Sequence, residues 1–111
     1  MTGALSNAGI GGRVMRLLFG LALALAAAIA QAADPGRGQQ VYAMHCATCH
    51  GENGHPVWPG TPDFKRTTVL LKPEAQLVAA IRRGRGAMPA YAGVIRDRDM
   101  PDLMAYLRTL N

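Results

Sequence analysis

Cys46-Ala47-Thr48-Cys49-His50 is the stretch on which the reading of this chain turns. The spacing C-x-x-C-H marks covalent attachment of a c-type haem. Two thiols three positions apart on one helical turn can each add to a haem vinyl group. The histidine beside the second thiol then lies under the ring, where an imidazole nitrogen can bind iron. Cys46 and Cys49 are the two cysteines of the chain, so none is left for a disulfide. A redox dithiol is the rival reading, but it needs a βαβ pattern nearby, and none is visible. A structural zinc site needs four ligands. His45 and His55 are available for one, yet the helical context and Met88 favour haem.

Upstream, Arg13 and Arg16 precede an apolar run from Leu17 to Ile29, broken by Gly20 alone. Ala30-Gln31-Ala32 then has the A-x-A form of an export cleavage site. The expected organisation is a signal peptide over residues 1–32, cleaved after Ala32, and one haem domain over 33–111. Residues 1–12 are long for the leading segment of a signal, and Met15 is an alternative start. The apolar run falls short of the roughly 20 residues of a comfortable membrane span. An uncleaved anchor is the competing reading. Cleavage leaves 79 residues, small for an unaided core. Haem would then supply much of the interior, and the haem-free chain should be largely unfolded.

Charge excludes little, but it does not argue for nucleic acid. The formal +5 includes Arg13 and Arg16, and without them it is +3. Two ionised propionates would bring it to about +1. Local clustering matters more. Arg82, Arg83 and Arg85 precede Met88 and should lie near the exposed haem edge, where they can steer an acidic partner.

The coarse pattern is helical throughout. Asp34 is a good N-cap and Pro35 a good first residue for a helix running into Cys49. Gly51 to Pro62 is a loop rich in glycine and proline. Pro73 should open a second helix whose stripe is Leu77, Val78 and Ile81, with Gly84 closing it. Leu103, Tyr106, Leu107 and Leu110 recur at i, i+3, i+4 and i+7, the mark of a helix with one buried side. Asp99 is the expected cap of that helix, with Pro101 in its first turn. No segment alternates with period two, so no sheet is expected.

Residues 36–110 resemble the class I cytochrome c family. The attachment motif sits near the mature N-terminus, and Ile81, Gly84, Met88 and Pro89 repeat the family's isoleucine, glycine and Met-Pro. Leu103-Met104-Ala105-Tyr106-Leu107 is similar to its aromatic closing helix. Pro62 and Phe64 match its proline-x-apolar element. The resemblance implies an all-α fold of three to four helices wrapped around one covalent haem c. It also implies iron held by His50 and Met88, and single-electron transfer rather than enzymatic catalysis. The first and last helices should cross where Gly38 and Tyr42 meet Leu103 and Tyr106. The carbonyl region of Pro62 should receive the free ring N–H of His50. Tyr42, Trp58, Pro62, Phe64 and Ile81 are expected around the haem. Trp58 either packs on the haem edge or donates its indole N–H to a propionate.

Met88 lies in a glycine-containing loop rather than on a helix stripe, which sets it apart from a core-filling methionine. Met100, Met104 and Met44 are weaker candidates, and His45 and His55 are expected to be solvent-exposed. The expected function is a periplasmic electron carrier between redox complexes, its partners acidic at the docking surface. Contact with a membrane would come only through partners or an uncleaved anchor. A haem subunit of a larger dehydrogenase or oxidase is the alternative. A five-coordinate gas-binding protein is a third reading, disfavoured by Met88 and by the position of the attachment motif.

Overall fold

The computed structural model describes residues 8–27, 31–66 and 68–111. It divides into Met1–Ala32 and Ala33–Asn111. Within the first unit, helix α1 spans Ala8–Ala27. No helix among the described residues is long and apolar enough to cross a membrane. Ala30 of the expected cleavage site lies outside the described residues.

The second unit carries helices α2 (Pro35–His45), α3 (Ala47–His50), α4 (Glu74–Arg83) and α5 (Met100–Thr109). Two 3-10 turns, Val69–Leu71 and Asp97–Asp99, precede α4 and α5. No strand forms among the described residues; the only extended pairings are two isolated bridges. The all-α expectation therefore describes this unit.

Helix α2 starts where the sequence says it should. The Asp34 carboxylate accepts from the amides of Gly36 at 2.8 Å and Arg37 at 3.3 Å, with Pro35 in the first turn. The helix does not run unbroken into Cys49. It stops at His45, and Cys46 separates it from α3. The Cys49 amide donates to the Cys46 carbonyl at 3.2 Å, three residues back, so α3 opens on a tight first turn. Pro73 stands just outside α4 as its cap rather than inside it. Asp99 precedes α5 but makes no capping bond. Its carboxylate is drawn to the Arg96 guanidinium instead, at 2.6 Å.

Helices α2 and α5 cross at Gly38. A Cβ built there would sit 1.9 Å from the Asp102 carbonyl oxygen and 2.9 Å from the Tyr106 Cβ. Backbone cannot yield as a side-chain tip can, so any larger residue would force the two helices apart. One turn on, the Tyr42 and Tyr106 rings pack with centroids 5.2 Å apart. The Tyr42 hydroxyl donates to the Gly51 carbonyl at 2.7 Å, which ties the crossing to the residue after His50.

Asp102 seals the same junction from the other side. Its carboxylate is buried, accepts from the Asp34 amide at 2.7 Å, and pairs with Arg37 at 3.0 Å. Tyr42, Leu103 and Met104 form the fully buried centre. Phe64, Leu70, Leu77, Ile81 and Ile95 extend it toward the loops and α4.

Candidate functional site

Beside this core lies a cavity of about 770 Å³. That is within the roughly 300–1,000 Å³ of small-molecule and cofactor sites. Cys46, Cys49, His50 and Met88 all line it. They come from α3, the residue before it, and a loop 38 positions further along the chain.

The attachment motif is held by its own turn. The amides of His50 and Gly51 donate to the carbonyls of Cys46 and Ala47 at 2.9 and 2.8 Å. The loop after it folds back on the motif, with the Val57 and Trp58 amides both donating to the Cys49 carbonyl. The His50 ring stacks on Phe64, with centroids 4.6 Å apart and planes within 14°. Burial pushes its imidazole below the usual histidine range, favouring the neutral ring that a metal needs. Burial, with Cys49 adding to it, raises the Cys46 thiol to about 11. Cys46 is therefore a protonated thiol rather than a reactive thiolate.

Met88 is fixed by a tight turn. Arg85 and Met88 exchange two backbone hydrogen bonds, each 3.0 Å. Gly84 opens this turn at φ +71°, and a Cβ there would lie 2.6 Å from the Met88 carbonyl oxygen. Both facts call for glycine. Pro89 follows directly and removes a further degree of freedom.

The other expected site residues divide. Trp58 and Pro62 line the cavity, with Trp58 57% exposed. Tyr42, Phe64 and Ile81 do not line it. Tyr42 and Ile81 belong to the core behind, because the α2–α5 crossing and the inner face of α4 claim them. Phe64 reaches the site only through His50. No hydrogen bond joins Pro62 to His50. Nδ1 of His50 is buried without a partner, and stacking on Phe64 orients the ring instead. His55 is exposed, as expected, and pairs with Asp63 at 3.0 Å. His45 is half-buried and borders the cavity, contrary to the exposure expected for it. Of the three arginines before Met88, Arg82 is engaged by Asp97 at 2.8 Å, while Arg85 reaches the cavity rim.

Residues unremarked in the sequence also contribute. Val69, Lys72 and Gln76 line the cavity, and so does Tyr91. The one available signal was the hydroxyl of Tyr91, a polar group three residues past Met88 that needs a partner once partly buried.

These residues fit a covalently held haem. Two thiols at the right spacing, an imidazole and a thioether share one cavity. The buried, unpartnered Nδ1 of His50 costs about 1–3 kcal/mol, a group that calls for a partner the protein alone does not supply. Among the described residues, no three His, Cys, Asp or Glu side chains gather as a protein-only metal cage requires.

Comparison with known proteins agrees. A family model described as "Cytochrome C oxidase, cbb3-type, subunit III" matches residues 33–107. Cytochrome c6 of Synechocystis sp. is 35% identical over 85 residues, covering 70% of this chain and 67% of that protein. Cytochrome c6 of Picosynechococcus sp. is 30% identical over 109 residues, covering 84% and 92%. Cytochrome c6 of Pyropia yezoensis is 33% identical over 85 residues, covering 73% and 76%. With its two motif cysteines on a haem-sized cavity and its all-α frame, the chain belongs to the class I cytochrome c family, as a mono-haem electron-transfer protein carrying one covalently bound haem c and not as an enzyme.

Proposed function

We propose that this cytochrome is an exported, freely diffusing carrier that moves single electrons between larger redox proteins. Residues 1–32 act as a signal peptide removed after Ala32, and the working protein is periplasmic. The observation that carries this reading is the convergence of His50 and Met88 on one cavity with Cys46 and Cys49.

Bound haem supplies an iron that gains or loses one electron. The chain does the rest. Cys46 and Cys49 tether the group through two thioethers, so it cannot be lost in dilute solution. His50 and Met88 would be the residues that hold its iron, and with both bound no position would be left for oxygen or peroxide. The soft thioether favours the ferrous state and raises the potential. Leu77 and Ala80 on α4 provide apolar lining that excludes water, which disfavours the added charge of ferric haem. Rigid placement of both ligands keeps rearrangement small when the charge changes.

Lys72 and Arg85 border the same cavity and suit a partner that is acidic where it docks. The rate of electron exchange with that partner should then fall steeply as salt rises. A flat salt dependence would remove the acidic docking face from the account.

A second reading draws on the family model, whose description names an oxidase subunit. Fractionation of the native cell separates the two. The carrier reading expects haem-bearing polypeptide of residues 33–111 in the osmotic-shock fluid. Recovery in a stable membrane complex would favour the subunit. Retention of residues 1–32 in the membrane fraction would favour an anchor.

A further inference from the structure

Tyr91 joins the two halves of the cavity wall. Its hydroxyl donates to the carbonyl of His45 at 2.7 Å, across 46 residues of sequence. Its ring meets the His45 imidazole edge-on, with centroids 5.8 Å apart. His45 is the last residue of α2 and precedes Cys46. Carbonyls at a helix end have no partner within the helix. Here the α2 ladder stops at Cys46, and the Cys49 amide turns to Cys46 rather than His45. The Tyr91 hydroxyl therefore satisfies a carbonyl that the break in the helix leaves free.

The backbone of Tyr91 is equally engaged. Its amide donates to Ile81 at 3.0 Å, and its carbonyl accepts from Val94 and Ile95. The next amide, Ala92, donates to Arg82. Tyr91 is thus anchored to α4 through its backbone and to the attachment motif through its side chain. Met88 lies three residues before it, in the turn closed by the Arg85–Met88 pair. Beyond that turn, the Tyr91 hydroxyl reaches the residue before Cys46. Proline at 89 makes the short connection stiff, so a tie at Tyr91 is felt at Met88.

We infer that Tyr91 is a positioning residue, a latch whose hydroxyl holds the Met88 loop closed against the cysteine-bearing turn. The inference rests on Met88 being an iron ligand. Opening the loop breaks the Tyr91–His45 bond and withdraws the thioether together. Phenylalanine at 91 keeps the ring and its packing and removes only the bond.

The test uses the exported, haem-loaded protein and its Tyr91→Phe variant, in the ferric state. Imidazole displaces an axial methionine only after the methionine leaves, so its limiting binding rate measures loop opening. The methionine-to-iron absorption band reports the same event. The limiting rate should rise about two- to tenfold in Tyr91→Phe, the consequence of losing one partly buried hydrogen bond. The band should also fade at lower temperature, ahead of global unfolding measured by circular dichroism. A limiting rate unchanged in the variant, in a protein that does show the band, overturns the latch alone. A wild-type protein that lacks the band, and that Met88→Ala leaves spectrally unchanged, overturns the ligand reading and the latch with it. A variant that only unfolds earlier, with unchanged imidazole kinetics at room temperature, also overturns the latch and leaves Tyr91 an ordinary packing residue.

Discussion

A chain carrying Cys46→Ala and Cys49→Ala, and so free of haem, should show no cooperative thermal unfolding. The reason is the size of the cavity relative to the domain. A domain of 79 residues is stable by about 4–12 kcal/mol, at 0.05–0.15 kcal/mol per residue. Without haem, the apolar lining of a cavity of about 770 Å³ faces water, and the burial it gains from haem is lost from that small total. Leu77, Ala80 and Val69 would lose the surface they pack against. No disulfide is available to hold the chain instead. Differential scanning calorimetry of the double variant decides the matter. A broad, weak signal is expected, whereas a sharp transition near that of the haem-loaded protein would show that the helices suffice alone.

Replacing Met88 by alanine should change the haem chemistry more than any other single substitution that preserves attachment. The axial ligand is one of the main controls on haem potential, whose range across proteins is about 0.8 V. Loss of the thioether should shift the potential strongly negative, abolish the methionine-to-iron band, and let carbon monoxide bind rapidly to the reduced protein. Wild-type protein should resist carbon monoxide. The fold should survive, because Met88 is only half-buried and its turn is closed by backbone bonds with Arg85. Rapid carbon monoxide binding by the wild type would instead favour the gas-binding reading. Unchanged spectra in Met88→Ala would send the search for the sixth ligand to His45, which borders the same cavity.

Much of the frame is legible in the sequence, for identifiable reasons. Asp34-Pro35 and Gly84 are local signals, and they act through their nearest neighbours. The stripe on α5 and the small residue at Gly38 together imply a close helix crossing, which the structure forms through Asp102 and Tyr106. Other features depend on contacts distant in sequence. Asp102 reads as an acidic residue in the first turn of a helix, a place usually solvated. It is buried because the start of α2 lies over it and supplies both an amide and Arg37. Asp99 looks like a cap, but Arg96 competes for its carboxylate.

The candidate site shows the same division. The attachment motif announces itself by spacing, and Met88 by its place in a glycine-proline loop. Tyr42, Phe64 and Ile81 are expected around the haem from the family resemblance, as apolar positions matching its elements. Periodicity gives the buried face of a helix but does not distinguish core from cavity wall, and the structure sends Tyr42 and Ile81 to the core. Tyr91 is not legible in the sequence, because its partner is a backbone carbonyl 46 residues away, which leaves no trace in side-chain pattern.

The central claim is that one porphyrin is tethered by Cys46 and Cys49 and ligated by His50 and Met88. Mass spectrometry and an absorption spectrum of protein exported from a cytochrome-maturing host test it most directly. The account predicts that the haem stays with the polypeptide after denaturation, adding its full mass, and that the native ferric protein shows the methionine-to-iron band. A colourless product with the mass of the bare polypeptide would contradict it.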